Sequence, residues 1–407
     1  MTNNRSGSIV RRLAAVTAVA LTLAMAGACS DADEDTAAPG SLPTLKVLGI
    51  LTVSAPSVGF PAQAAAMKAA VAAVNDAGGV AGHRLELEVC NDAANPNTSA
   101  TCATDAVTDG AIAALGGLSV GGSGAVPVLE QAGIPLLSHP INPLEFTSKH
   151  SWPIPGGTPV SFSGAAIGLV KTYDCKKVAA LTQSLPSSVA SADFAEQGLK
   201  SLGMSLSARL AVATTNADYG PAAAQIASSG SDCVVLALPP GEAGKAIVAL
   251  KAGAPNVKIG LAAASLTQAL IDQIGKAADG VLLSDSFEPV NSTSAGMTAF
   301  RDALKKYQPE ATPTSAGVVA WSEVAVLKAA IESISGKIDG PAVQAALGKL
   351  TAVKTGVGPD LNMTTPLGIS GFDRILNTNV VTYTVVNGAY GPAATPFSVL
   401  SALKENK

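Results

Sequence analysis

The sequence predicts an α/β protein of two lobes, each built on a parallel sheet with helices on both faces. Short apolar runs alternate with helical stretches from residue 45 onward, and the same alternation restarts after residue 157. The runs lack strict polar–apolar alternation, as expected for strands that are buried on both faces. Such βαβα order predicts doubly wound sheets. Removal of a 28-residue leader from the 407 residues leaves 379, which is too many for one ordinary core.

The elements can be assigned in chain order as three blocks. The first block contains strands 45–53, 84–90, 111–115 and 134–138 and helices 61–76, 98–108 and 125–132. The second contains strands 177–181, 205–211, 233–238, 258–262 and 281–284 and helices near 159–173, 190–202, 221–228, 243–252 and 266–274. The third contains helices 295–307, 317–335 and 341–350 and an antiparallel pair around 380–386 that turns at Asn387-Gly388. We expect lobe 1 to comprise 45–153 plus 286–355, and lobe 2 to comprise 154–285 plus 356–400.

The amino terminus has the pattern of an export signal. The basic pair Arg11-Arg12 precedes an apolar run, 13–28, that is too short for a comfortable membrane span, and Cys29 follows directly. Small residues before this cysteine resemble the lipobox of bacterial lipoproteins, which implies a signal peptide over 1–28, acylation of Cys29 and a flexible tether over 29–44. The alternative is an ordinary cleaved signal followed by a chance cysteine.

Composition excludes several classes of partner. The net charge is −4 and only 14% of the residues are charged, so no basic patch for nucleic acid is expected. No later apolar run approaches the length of a membrane span, so membrane contact is expected through the lipid anchor alone.

Four cysteines follow Cys29, and an even number in an exported protein predicts two disulfides. Three pairings are possible. We favour Cys90–Cys102, which are close in sequence, and Cys175–Cys233, which each precede a predicted strand. A metal site is the rival interpretation, but the chain has no CxxC motif and no paired histidines, so no metal or cofactor is expected.

Four stretches resemble the type I periplasmic binding proteins, specifically the leucine/isoleucine/valine-binding branch that serves ABC importers. They are the helix 64–70 with its exit at 74–82, the segment Asn91-Asp92-Ala93-Ala94-Asn95-Pro96, the glycine-rich segment 116–123, and the segment 132–138 followed by Asn142-Pro143 and Phe146. The resemblance implies two Rossmann-like lobes joined by crossover hinge strands, with a small molecule bound between them and no enzymatic activity.

The resemblance places the ligand on loops after the strands of both lobes. In lobe 1 the family grips a carboxylate with a serine hydroxyl and backbone N–H groups, and a glycine-rich turn entering a helix suits an anion on physical grounds. The implied ligand-binding residues of lobe 1 are Ser57, Val58, Ser119, Ser123, His139 and Ile141. Ser123 can instead cap the following helix, and His139 can instead lie at the rim. Trp321 can line the pocket or pack in the core.

Lobe 2 departs from the family's amino-acid binders. The acidic residue that holds the ligand's ammonium group is missing after the strand ending at 262, where this chain has Ala262 to Ser265. The implied contacts there are neutral or apolar: Ser184, Ser187, Leu238 and Ala263. An unpaired buried ammonium is costly, so we expect a carboxylate other than an amino acid, or an apolar metabolite. Glu242 is the one residue that can restore ammonium recognition if its loop folds inward.

The sequence thus predicts a monomeric, exported solute-binding lipoprotein that delivers its ligand to the permease subunits of an ABC importer. A lipoprotein sensor that presents the ligand to a membrane partner is one alternative. A serine hydrolase is another, because Gly117-Leu118-Ser119-Val120-Gly121 matches the G-x-S-x-G elbow. Against it, the chain has no histidine after residue 150 that could serve as the base.

Overall fold

The computed structural model describes residues 42–56 and 58–404, except for the side chain of Ser187. The predicted signal peptide, Cys29, most of the tether and Ser57 lie outside the described residues. Within them, no helix combines the length and the apolar character that a bilayer span requires.

The first sheet has five parallel strands in the order β2-β1-β3-β4-β5. These strands are β1 (Thr44–Leu51), β2 (Arg84–Asn91), β3 (Ala113–Leu115), β4 (Leu136–Ser138) and β5 (Ser151–Pro153). The helices between them are α1 (Pro61–Asp76), α2 (Pro96–Thr108), α3 (Ala125–Ala132) and α4 (Pro143–Thr147). A short 3-10 turn, Gly122–Gly124, lies between β3 and α3.

The second sheet has eight strands, seven of them in the order β12-β11-β10-β9-β8-β6-β7, with β13 paired to β11. Its strands are β6 (Val178–Gln183), β7 (Leu206–Val212), β8 (Cys233–Ala237), β9 (Lys258–Ala262), β10 (Leu282–Asp285), β11 (Asn379–Val386), β12 (Ala389–Tyr390) and β13 (Phe397–Ser398). Strands β6 to β10 are parallel, and β11 runs antiparallel to β10. The remaining helices are α5 (Gly157–Tyr173), α6 (Pro186–Lys200), α7 (Gly220–Ser228), α8 (Pro240–Gly253), α9 (Gln268–Ile274), α10 (Ala295–Tyr307), α11 (Ser315–Glu332), α12 (Gly340–Leu347) and α13 (Leu400–Lys404).

Local sequence explains where the helices begin. Proline occupies the first turn of α1, α2, α4 and α6, where its missing N–H costs nothing. Other helices are capped by side chains: Ser294 accepts from the N–H of Met297, Thr314 from that of Gly317, and Asp339 from that of Ala342. Strand β8, by contrast, is a run of five buried residues, Cys-Val-Val-Leu-Ala, as expected for a strand covered on both faces.

Each sheet is packed on both faces. The first lobe's larger core joins β1 and α1 to helices from late in the chain, and Met67, Phe300 and Leu327 are fully buried in it. The opposite face of that sheet packs on α2 and α3. In the second lobe, α7, α8 and α9 cover one face, and α5 and α6 cover the other. This arrangement confirms the predicted two-lobed α/β fold. Val357 and Leu361 pack in the first lobe's core, and the predicted lobe boundaries stay predictions.

The chain passes between the lobes at three places: between β5 and α5, between β10 and α10, and between α12 and β11. Asn377 joins the first and third crossovers, because its Nδ2 donates to the carbonyl of Ile154 at 3.0 Å and its Oδ1 accepts from the N–H of Asn362 at 3.0 Å. The second and third crossovers meet where the N–H of Glu288 donates to the carbonyl of Val357 at 2.9 Å.

Both predicted disulfides are confirmed. Cys90 of β2 bonds to Cys102 of α2, and Cys175 bonds to Cys233 at the start of β8, with 6.0 Å between the Cα atoms in each pair. The second bridge links the amino ends of β6 and β8, which are neighbours in the sheet.

Candidate functional site

Helix α11 brings the carboxyl ends of the two sheets to one place. The carboxylate of Glu323, near its middle, accepts hydrogen bonds from the N–H of Gly117 just beyond β3, at 3.1 and 3.3 Å. The hydroxyl of Ser315, its first residue, donates to the carboxylate of Asp285 at the end of β10, at 2.5 Å. Because ligands of open α/β sheets bind beyond the carboxyl ends of the strands, this edge is the candidate site.

Asp92, directly after β2, holds three loops of the first lobe together. It is fully buried, and its Oδ1 accepts from the hydroxyl of Thr52 at 2.6 Å and from the N–H of Ala94 at 2.8 Å. Its Oδ2 accepts from the hydroxyl of Ser119 and from the N–H of Gly121 at 3.2 Å. The loops after β1, β2 and β3 therefore share one buried carboxylate.

The hydrogen bond to Asp92 limits the role that the hydroxyl of Ser119 can have. The side chain is 1% exposed, and its only hydroxyl proton is donated to a carboxylate rather than to an imidazole. Its carbonyl accepts from Nδ2 of Asn142 at 2.8 Å, which ties the loop after β3 to the loop after β4. In this arrangement Ser119 orders the loop and offers a ligand no donor from its side chain. Its predicted ligand contact is not tested and stays a prediction.

The glycine-rich turn requires glycine mainly because neighbouring atoms leave no room for a Cβ. Gly117 has φ +47°, and a Cβ there would lie 2.7 Å from Oε1 of Gln63, which accepts from the N–H of Leu118 at 2.7 Å. Gly121 and Gly124 have ordinary negative φ angles. A Cβ on Gly121 would nevertheless meet the backbone of Asn95 at 2.7 Å, and one on Gly124 would meet the carbonyl oxygen of Pro96 at 1.8 Å. The turn therefore packs backbone against backbone on the start of α2.

Ser123 sits within this turn and is half-buried. The helix α3 begins at a glycine cap with no side-chain cap hydrogen bond, so the capping role considered for Ser123 is not observed. Among the described residues its hydroxyl has no hydrogen-bond partner, which leaves it available to a ligand.

The loop after β4 carries His139 and Ile141. The N–H of His139 donates to the carbonyl of Gly117 at 3.0 Å, and its Nδ1 is buried without a partner among the described residues. Burial lowers the pKa of this imidazole to about 4, so the ring is neutral at neutral pH. Ile141 is 40% exposed, and Val120 in the loop after β3 is 39% exposed. This edge of the first lobe thus offers apolar side chains beside a neutral ring.

Two buried glutamates, Glu145 and Glu323, accept hydrogen bonds from the loops after β3 and β4. Oε2 of Glu145 in α4 accepts from the N–H groups of Ile141 and Asn142, both at 2.9 Å. Burial raises the pKa of Glu145 to about 7, and burial together with the charge of Glu145 raises the pKa of Glu323 well above its usual range. Neither residue is among those predicted from the sequence. Asn142-Pro143 followed by Glu145 is a capping-box pattern, and Glu323 is the lone acid within the apolar run of its helix.

In the second lobe the structure separates the predicted residues. Ser184 follows β6 and is exposed, and Ser187 lies in the first turn of α6. Leu238 and Ala263 are buried in the lobe's core, at 4% and 5% exposure. The apolar side chains that are exposed beyond β6 are Leu185 and Val189, at 40% and 42%.

Two acidic groups of the second lobe, Glu242 and Asp285, already have partners. Glu242 accepts from the hydroxyl of Tyr219 at 3.0 Å and forms a 2.8 Å ion pair with Lys245, whose proximity lowers the pKa of Glu242. Asp285, which is not among the residues predicted from the sequence, accepts from Ser315 and, at 3.3 Å, from the hydroxyl of Tyr383. Burial raises the pKa of Asp285. No unpaired carboxylate therefore stands at either position.

Two further predicted residues lie at the edge of the first lobe. Val58, in the loop between β1 and α1, is half-buried, and its carbonyl accepts from the N–H of Ala55 at 2.8 Å. Trp321 of α11 is half-buried and packs edge-to-face on Phe300, with 5.7 Å between the ring centroids. The indole therefore contacts the first lobe's core, and its predicted ligand contact stays a prediction.

The sequence model of the periplasmic binding protein family matches residues 44–388, which is most of the chain. The chain belongs to this family. Its members are solute-binding proteins that act outside the cytoplasm, and they are not enzymes. The resemblance inferred from the sequence to the type I, leucine-binding-like branch is thereby confirmed.

Solved structures show the same fold at low sequence identity. An ABC-transporter solute-binding protein from R. palustris, in complex with 4-hydroxybenzoate, is 20% identical with a TM-score of 0.70, covering 87% of this chain and 97% of its own. A fatty acid ABC transporter substrate-binding protein from Thermomonospora curvata is 16% identical with a TM-score of 0.73, covering 90% and 94%. A leucine-binding protein from Thermotoga maritima is 18% identical with a TM-score of 0.68, covering 87% and 99%. No curated protein sequence matches significantly.

Proposed function

We propose that this protein is a monomeric solute-binding lipoprotein, anchored outside the cell membrane through Cys29, that captures a small molecule between its lobes and delivers it to the permease subunits of an ABC importer. Membership of the periplasmic binding protein family supports the capture step. The transporter titles of the neighbouring structures support the delivery step. Three crossovers provide the hinge about which two such lobes close on a ligand.

The ligand that the site suits best is an amphipathic carboxylate without a free amino group. The observation that carries this proposal is that Glu242 and Asp285, the acids after β8 and at the end of β10, are both already engaged: Glu242 by Lys245 and Tyr219, and Asp285 by Ser315 and Tyr383. A buried ammonium without a carboxylate partner is costly. The exposed apolar side chains at the carboxyl ends of both sheets, Ile141 in the first lobe and Leu185 in the second, suit an apolar body.

Two of the neighbouring structures support this ligand class, whereas the leucine-binding protein represents the amino-acid alternative. One of them is bound to 4-hydroxybenzoate and another is a fatty acid transporter's binding protein. Both ligands combine one carboxylate with an apolar body. The first-lobe donors that remain for such a carboxylate are the hydroxyl of Ser123 and the ring of His139. We retain the predicted residues as the proposed site: Ser57, Val58, Ser119, Ser123, His139, Ile141, Ser184, Ser187, Leu238, Ala263 and Trp321. Of these, Ser119 has its hydroxyl engaged by Asp92, and Leu238 and Ala263 are buried in the second lobe's core.

Calorimetric titration of the mature protein tests the ligand class. Aromatic and aliphatic carboxylic acids, starting with 4-hydroxybenzoate, should bind more tightly than leucine, isoleucine or valine. Ser123→Ala should weaken binding about fivefold to tenfold, as expected for the loss of one hydrogen bond of about 1 kcal/mol. Ser228→Ala is the matched control, because that exposed hydroxyl donates only to Gln225 of its own helix. Micromolar leucine binding that is lost in Glu242→Ala would contradict the proposal.

A further inference from the structure

Glu145 and Glu323 are buried and accept hydrogen bonds from the backbone of two first-lobe loops that carry proposed ligand contacts. Glu145 holds the loop after β4 through the N–H groups of Ile141 and Asn142. Glu323 holds the loop after β3 through the N–H of Gly117. Both residues are 0% exposed, and both accept from backbone N–H groups of the loops after β3 and β4.

The two carboxyls differ from Asp92 in how fully they are satisfied. Asp92 accepts from two hydroxyls and two N–H groups, which suits a permanent charge. In Glu145, Oε2 takes all the donors, while Oε1 is buried with no hydrogen-bond partner among the described residues. Among the described residues, Glu323 has a single donor, Gly117, for both its oxygens. Because Oε1 of Glu145 and most of the acceptor capacity of Glu323 lack a donor, burial favours the protonated form of each.

Within the part of the chain that the structure describes, no cation forms an ion pair with either glutamate. The elements that contact α4 and α11, and these helices themselves, carry the following charged or titratable side chains: Lys68 and Asp76 of α1, Glu130 of α3, Arg301, Asp302, Lys305 and Lys306 of α10, His139 of the loop after β4, Lys149 and His150 after α4, Lys328 and Glu332 of α11, and Arg374 of the third crossover. Among the described residues, none of these makes an ion pair or hydrogen bond with either glutamate. Arg374 stacks on Trp152, 4.4 Å from its ring centroid, and His139 is neutral.

We propose that Glu145 and Glu323 are positioning residues, each of which accepts hydrogen bonds from the backbone of one first-lobe loop. Together the two carboxyls retain one proton, and the loss of this proton weakens the binding of an anionic ligand. The inference rests on the proposed function and extends it to the charge that the site accepts. With the proton bound, the pair carries one negative charge rather than two, and a carboxylate can approach the loops. After the proton is lost, the same loops carry a second buried negative charge, which repels an anion across a low-dielectric interior.

The first test needs no ligand. Burial raises the pKa of Glu145 in the folded protein above its unfolded value, so its contribution to stability is complete below the unfolded pKa and is lost as pH rises through about 7. Thermal unfolding of the wild type should therefore show a midpoint that falls by a few degrees between pH 5 and pH 8. Glu145→Gln and Glu323→Gln keep an oxygen acceptor for the loop N–H groups, and each should flatten this fall. Glu310→Gln, on an exposed loop, is the control and should follow the wild type.

The second test measures binding of 4-hydroxybenzoate between pH 6 and pH 9. The dissociation constant should rise up to tenfold per pH unit above about 7 in the wild type, and this slope should vanish in the two glutamine variants. Equal pH slopes of unfolding in all four proteins would overturn the proposal. If 4-hydroxybenzoate and other carboxylates fail to bind at all, the proposed ligand class fails, while the unfolding measurements still decide the role of the pair.

Discussion

The hydroxyl of Ser315 lies 2.5 Å from the carboxylate of Asp285, and this hydrogen bond joins the start of α11 in the first lobe to the end of β10 in the second. Tyr383 of β11 donates to the same carboxylate oxygen at 3.3 Å. The contact lies at the carboxyl end of β10, beside the hinge, where the second crossover begins. Lobe orientation and the packing of α11 are therefore physically linked.

Replacing Ser315 by alanine should lower the free energy of unfolding by about 1–2 kcal/mol, because a buried carboxylate oxygen loses its shorter donor. Urea denaturation measures this cost. The double variant Ser315→Ala/Tyr383→Phe should cost more than the sum of the single changes, since the two hydroxyls share one acceptor. Strict additivity would show that the two donors act independently.

Replacing Gly117 by alanine should destabilise the protein by about 2–3 kcal/mol, because a positive φ and a clash with Gln63 act together. Gly110→Ala is the matched control. Gly110 also has a positive φ, +75°, but a Cβ there meets nothing within 4 Å, so only the backbone cost of about 1 kcal/mol is expected. Urea denaturation of both variants separates the two contributions, and equal costs would show that Gln63 moves aside freely.

The two disulfides should contribute unequally to stability. The chain-entropy relation gives about 4 kcal/mol for the 58-residue separation of Cys175 and Cys233, and about 3 kcal/mol for the 12-residue separation of Cys90 and Cys102. Paired alanine variants of each bridge, unfolded in urea, measure both values. Peptide mapping without reduction should recover the same two cross-linked pairs, and any exchange of partners would contradict the structure.

The lipid anchor is a separate prediction. Cys29→Ala should move the protein from the membrane fraction to the soluble exported fraction, because acylation requires the cysteine thiol. Cell fractionation followed by mass spectrometry of the amino terminus measures the change. The control is the paired Cys90→Ala/Cys102→Ala variant, which should stay with the membrane. Identical partitioning of wild type and Cys29→Ala would show that the export signal is of the ordinary cleaved kind.

Features that depend on near neighbours in the chain were predictable. The Asn387-Gly388 pair predicts a tight turn, and both residues have positive φ at the turn between β11 and β12. The disulfides followed from cysteine number and strand position. Elements of three to five residues, such as α4 and β5, are too short for periodicity to reveal.

The site was less predictable, because its polar contacts join residues that are distant in sequence. Gly117 and Glu323 are 206 positions apart, and only the fold brings them together. Ser119 matched the family's ligand-binding pattern, yet its hydroxyl donates to Asp92, 27 positions earlier. A sequence pattern identifies the loop that faces the ligand, whereas the direction of each side chain depends on tertiary packing.

The three crossovers have a consequence for how the exported chain folds. The first lobe's core combines Leu51 and Met67, near the start of the chain, with Met363 and Leu376, near its end. Strands β6 to β10 of the second lobe form a continuous segment of the chain. During translocation the second lobe can therefore assemble most of its sheet while the first lobe still lacks its last helices. The first lobe must wait for nearly the whole polypeptide, so its early segments are the ones that most need protection from aggregation before export is complete.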